Sequence, residues 1–316
     1  MVKRMIFEKK YMPVLSHECL NASVVGYLEY YGLRILPSDI FFSGGGLDYE
    51  ISDEKDVPVI STDMYGSNFR FLNKYGIGYK KDKCTANDAE EFLKQCVRDE
   101  IAVSVPVRSD LLKHSRVFSQ TENSTHYLNI VGQKGNDFII ADGYVPEQKA
   151  DVFIGSMDSQ SLLNAWRERG YAYLIIEEPP TISNDIHSDT VICRNKSLDK
   201  ILGLKMDIPV FRDMVDKFKN YFDSDCTASV AENMNYRLKI YGWISSKYYL
   251  YESLAADGTD HEILRQYGEI IDRWKLNCLL LLKAGYSRKI NQLERVGQKL
   301  VNDCLAEHEI LKKVRR

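Results

Sequence analysis

The chain has 316 residues, enough to bury a large core and to form two domains. Apolar residues make up 44% and charged residues 28%, which excludes a disordered tail, a collagen-like repeat and a disulfide-stapled miniature. The net charge is −3, too close to neutral to point to nucleic acid.

No apolar run approaches the roughly 20 residues of a membrane span, and the first ten residues lack the apolar core of a secretory signal. Seven cysteines without a CxxC pair fit a reducing compartment better than a disulfide framework. A soluble, cytoplasmic protein with no membrane or nucleic-acid partner is expected. Charge is uneven along the chain: residues 195–316 hold 21 Lys+Arg against 17 Asp+Glu. The excess is sharpest over Lys283–Arg316, with nine basic and four acidic side chains. Such a run reads first as a solvated helix face and second as a surface for an acidic protein.

In chain order, Pro13 and Ser16 introduce a helix over Cys19–Tyr31 whose stripe is Leu20, Val24, Leu28 and Tyr31. A second helix follows a Thr85 cap over Ala86–Arg98. Ile101–Val107, Tyr127–Val131, Phe138–Ala141 and Tyr171–Ile176 read as strands. Gly132–Asp137 reads as a hairpin turn joining two of them, and Asp158 caps a helix over Ser159–Arg169. Hairpin-length connections predict an α+β domain with a mainly antiparallel sheet over residues 1–180. Polar residues 181–196 read as a linker. Residues 197–316 read as an all-α domain. One helix starts at Asp207–Pro209, another runs Thr227–Ala256, and stripes recur from Leu264 to Leu281 and from Ile290 to Leu311. This domain is expected to help wall a substrate channel.

Cys19 is the most promising nucleophile. It falls in the first turn of a helix, where unpaired N–H groups and the macrodipole favour an anion and a lowered thiol pKa. Cys278 and Cys304 fall on apolar stripes and read as core. A nucleophilic cysteine needs a base, and the base needs an orienting group. His126 opens the strand Thr125–Gly132, and Asp142 ends the next. If these strands form a hairpin, His126 and Asp142 meet at one sheet edge, as an oriented imidazole requires. Cys19, His126 and Asp142 thus form a candidate catalytic set with no metal and no bound cofactor. Gly44–Gly46 lacks phosphate-loop spacing and reads as a turn or bulge near the site. Cys304 and His308 read as packing before zinc. Lys247–Tyr251 reads as helix packing, with an aromatic substrate wall as the second reading.

The order of Cys helix, His strand and Asp after a hairpin resembles papain-like folds of the double-glycine leader-peptidase type. His17–Ala22 through Tyr30–Leu33, Phe41–Asp48 and His126–Asp142 resemble the N-terminal domain of the butirosin biosynthesis protein H family. Members of that family often carry an all-α extension. The resemblance implies acyl transfer from a carrier-protein thioester to an amine or diamine in antibiotic assembly, as in the related closthioamide-type amide synthase. The acyl group would arrive on the phosphopantetheine arm of an acyl or peptidyl carrier protein. Double-glycine peptidases place Gln six residues before the nucleophile; here Pro13 stands there, and Leu20 replaces their Gly. The Cys19 N–H, His17 and Asn21 are therefore the candidate oxyanion donors. The missing Gln argues against peptide hydrolysis, and a cysteine peptidase, a thioesterase or a non-catalytic binding protein are the alternatives.

Overall fold

The computed structural model describes residues 4–6, 11–54, 57–118, 123–146, 151–182, 185–204, 207–222, 224–240 and 242–315. The chain divides into two compact units, one of residues 1–40 and 68–185, the other of residues 41–67 and 186–316.

The first unit is α+β, built on an antiparallel sheet. Its strands are β1 (Arg4–Ile6), β4 (Tyr79–Lys83), β5 (Val103–Arg108), β6 (Thr125–Lys134), β7 (Asp137–Val145), β8 (Asp151–Asp158) and β9 (Ala172–Ile176). They lie in the order β4-β9-β5-β6-β7-β8, with β1 pairing the far end of β6. The turn between β6 and β7 shrinks to Gly135-Asn136, and Gly135 takes φ 63°, which a glycine supplies without steric cost. Asn129 pairs with Ala141 and Ile130 with Ile140, and a bulge follows before Gly132. That register aligns the start of β6 with the end of β7.

Alternation sets the two faces of β6. Leu128 and Ile130 join Val103, Val105, Val107, Phe138 and Ile140 in one core. Helices α4 (Ala89–Arg98) and α5 (Ser159–Arg167) close it with Leu93, Val97, Leu162 and Trp166. Asn129 points to α1 (Cys19–Tyr30), donating to the Ser23 carbonyl at 3.1 Å. Every residue of α1 from Leu20 to Leu28 is buried, so this helix is a core element, not an amphipathic one. The Asp158 cap holds as expected, accepting the Ser161 N–H at 2.8 Å. Thr85 instead bonds the Asp88 side chain in a turn, and α4 starts later, at Ala89.

The second unit corrects the expected division in two places. Residues 186–196 are not linker: α6 runs Ile186–Leu204. Its buried positions are Ile186, Thr190, Arg194 and Leu198 at strict fourfold spacing, and two polar residues among them hide the stripe. Arg194 is buried because it pairs with Asp257 at 2.5 Å and donates to Ser253 at 2.8 Å. The unit is also not all-α, since the hairpin of β2 (Tyr49–Glu54) and β3 (Val57–Thr62) belongs to it. Between α2 (Pro37–Ser43) and that hairpin, the glycine run ends the helix: Gly45 and Gly46 donate to the Phe42 and Phe41 carbonyls. Gly44–Gly46 is a helix stop.

Helix α3 (Met64–Lys74) follows β3. Five more helices build the second core: α7 (Asp207–Lys219), α8 (Thr227–Ile240), α9 (Trp243–Ala256), α10 (His261–Ser287) and α11 (Ile290–Val314). The expected helix Thr227–Ala256 is broken, and α9 begins after Gly242 at φ 107°. A β-carbon there would sit 1.8 Å from Thr62 Oγ1. Trp243, Trp274 and Phe211 meet at centroid distances of 5.0–5.2 Å. Beside them Lys247 Nζ lies 2.7 Å from both Glu307 oxygens, which also accept from Tyr267 and the Trp274 indole. The Lys247–Tyr251 stretch therefore packs: Lys247 and Tyr249 are buried. Cys304 and His308 are buried on α11.

Candidate active site

The site is assembled in the first unit from the start of α1, the start of β6 and the end of β7. Glu18 caps α1 from an extended backbone. One carboxylate oxygen accepts the Leu20 N–H at 2.8 Å and the other the Asn21 N–H at 2.7 Å. The Cys19 thiol donates to the first of these oxygens at 3.3 Å. Just before this cap, the Ser16 N–H donates to the Gly143 carbonyl at 3.1 Å, tying the entry of α1 to the end of β7 beside Asp142, and the backbone of Tyr127, the residue after His126, acts on the thiol. Cys19 and the His126 end of β6 are thus brought together.

His126 and Asp142 meet as the hairpin register requires. Asp142 Oδ2 lies 2.8 Å from His126 Nε2. His114, from the loop after β5, places its own Nε2 2.8 Å from the same oxygen. Asp142 Oδ1 accepts the Tyr144 N–H at 2.9 Å. The carboxylate is fully buried and every contact reinforces its charge. With Asp142 ionised, both imidazoles donate to it from Nε2. Aromatic rings fix the cluster. His114 stacks on Phe153 at 4.5 Å, and Phe118 packs against His126 at 4.5 Å.

Electrostatics follow from these contacts. Burial alone would raise the Asp142 carboxyl. The charge of His126, the His114 and His126 hydrogen bonds and the Tyr144 N–H outweigh burial and hold it at about 2. Burial lowers His17 to about 4, so this candidate oxyanion donor is a neutral imidazole at pH 7.

Cys19 departs from expectation. Burial pushes the thiol well above its ordinary value, the Glu18 and Asp142 charges add to that, and the Tyr127 backbone opposes it only in part. The helix N-terminus expected to hold a thiolate is occupied by the Glu18 carboxylate. In this structure the thiol bonds Glu18, not His126. Burial raises Glu18 as well, against its two backbone N–H bonds.

Asn21, the other side-chain candidate for the oxyanion, is held by local hydrogen bonds. Its side-chain oxygen accepts from Ser16 at 2.6 Å and its amide nitrogen donates to the Pro37 carbonyl at 3.3 Å. The amide ties the chain before α1 to the start of α2.

Two residues of the cluster escaped the sequence reading. Glu18 carried a usable signal, an acidic residue just before the first helical position. His114 carried none, because its loop has no periodicity and reaches Asp142 only through space. Among the described residues, no group of three or more His, Cys, Asp or Glu side chains could hold a metal ion.

A solved structure from Bacillus anthracis, designated a C39-like peptidase, is similar to this chain. The match covers 55% of this chain and 98% of that one, at 12% sequence identity and a TM-score of 0.38. No protein-family model matches the chain, and no curated protein does.

Proposed function

We propose that this protein is a cysteine-nucleophile acyltransferase that makes an amide from a carrier-protein thioester and an amine. One observation carries the catalytic part: the Cys19 end of α1 is tied to the end of β7 by the Ser16 N–H on the Gly143 carbonyl, and there the buried Asp142 carboxylate holds His126 Nε2 at 2.8 Å. In this reading His126 takes protons at the nucleophile through Nδ1.

The steps balance without an external reagent. His126 takes the Cys19 proton as the sulfur attacks the thioester carbonyl. The carrier thiol departs with that proton, leaving the acyl group on Cys19. An amine then attacks the acyl-enzyme, gives its proton through His126 to the departing Cys19 sulfur, and leaves as an amide. Thioester exchange is nearly isoenergetic and aminolysis is downhill, so no nucleotide is needed. Asp142 holds the His126 ring and stabilises its cation at both steps.

Acyl transfer is preferred to peptide hydrolysis because Pro13 stands where the peptidases carry their oxyanion Gln. The carrier-protein part of the reading rests on charge. Lys283, Arg295 and Lys299 on the last two helices and Lys289 between them are exposed, a surface suited to an acidic partner. Lys312 and Arg315 are partly answered by Glu309 and Asp199.

The test supplies acylated carrier protein with and without a panel of amines and follows products by mass spectrometry. Amide that depends on amine and on carrier is expected. Free acid as the main product with every amine would make the protein a thioesterase. Cleavage of peptides with no response to carrier thioester would make it a peptidase.

A further inference from the structure

The residue before the nucleophile is used in a way the proposed mechanism does not require. Glu18 has both carboxylate oxygens committed to the Cys19 end of α1. One takes the Leu20 N–H and the thiol, the other the Asn21 N–H. Those backbone groups are the orphan donors of a helix start. They are what would stabilise a thiolate or an oxyanion at this point. A capping Ser or Asn would satisfy the helix equally well without bringing a charge beside the sulfur.

We propose that Glu18 is a positioning residue that keeps Cys19 as a latent thiol in the substrate-free site, by capping α1 in the thiolate's place and accepting the thiol proton as a hydrogen bond. Glu18 and Asp142 act on the thiol electrostatically, and titratable groups lie close to both in the fold. Glu18 and His17 precede Cys19, His126 lies on β6, and Asp142 lies on β7 with His114 bound to it. Of these, Glu18 alone hydrogen-bonds the sulfur through its side chain. Burial of the thiol acts in the same direction. While Glu18 holds the Leu20 and Asn21 N–H groups, they are closed to an oxyanion. The free enzyme therefore reacts slowly with stray electrophiles.

This inference rests on Cys19 being the nucleophile, and its test is kept separate from turnover. Loss of activity in Cys19→Ala judges the proposed function; thiol titration judges Glu18. The rate of Cys19 alkylation by iodoacetamide is measured from pH 5 to 10 on the full chain, with peptide mapping to separate Cys19 from the other six cysteines. The wild-type midpoint is expected above the ~8.5 of an ordinary thiol. Glu18→Gln keeps an oxygen for the backbone but loses the charge. Its midpoint should fall by about one pH unit, which raises the rate at neutral pH about tenfold. Glu18→Asp retains charge and capping ability and should restore slow labelling. A helix-capping role alone would leave the midpoint unmoved in Glu18→Gln. If Glu18→Gln unfolds, all seven cysteines label together and Glu18→Asn, also a neutral cap, decides instead. A wild-type midpoint at or below the ordinary value overturns the proposal whatever the variants do, and so does a Glu18→Gln profile that superimposes on wild type.

Discussion

Two imidazoles on one carboxylate oxygen define the site at the scale of single residues. Asp142 is buried, and its charge is answered by His126, His114 and the Tyr144 N–H. Removing His114 leaves that charge with one donor fewer, so His114→Leu should cost about 1.5–3 kcal/mol of stability, read by urea unfolding at pH 7. Asp142→Asn should reduce activity less than Cys19→Ala or His126→Ala, because the nucleophile and base act as a unit and the orienter does not. His17 gives a pH dependence of definite sign. Its folded pKa is depressed from 6.5 to about 4, so the unfolded chain binds its proton more readily. Stability from the neutral ring is complete above pH 6.5 and is lost as pH falls toward 4. His17→Phe should flatten the fall in Tm across that window; an unchanged slope would assign the acid sensitivity to other groups.

At the scale of elements, the position of Gly242 between α8 and α9 is the most sharply constrained. It combines φ 107° with no room for a β-carbon beside Thr62. Gly242→Ala should destabilise by about 2–4 kcal/mol, the sum of a left-handed backbone and an overpacked contact, measurable as a drop in Tm. The same glycine explains a misread helix, since its neighbours Thr227–Ile240 and Trp243–Ala256 share one continuous helical pattern. Strands β5, β6, β7 and β9 were legible because they are buried β-rich runs. Strand β4 was not, because Tyr79–Lys83 is an edge strand of charged, exposed residues. Helix α6 escaped because Thr190 and Arg194 occupy its buried stripe. The His126–Asp142 contact was legible because a hairpin with a short turn fixes which ends meet. The state of Cys19 was not, because it depends on burial and on the side chain of Glu18, which periodicity does not report.

On the scale of the whole molecule, each unit has its own core, and the two are stabilised differently. The second unit buries an ion pair, Lys247–Glu307, within an aromatic cluster, with Lys247 Nζ 3.8 Å from the Trp243 ring centroid. Glu307→Gln strands a buried lysine and should cost about 3–5 kcal/mol. Differential scanning calorimetry should show the loss, while alkylation of Cys19 in the first unit at native temperature stays as in wild type. No helix among the described residues is long and apolar enough to cross a membrane. The proposed function turns on one covalent bond, between the acyl group and the Cys19 sulfur. Wild-type protein and the Cys19→Ala variant are each mixed with acylated carrier protein in the absence of amine, and intact-mass and peptide-mapping spectrometry follow the acyl group. An acyl adduct is expected on Cys19 in the wild type that disappears when amine is added, and none in the variant. An adduct on another residue, or equal amide yield from Cys19→Ala, would contradict the proposed function.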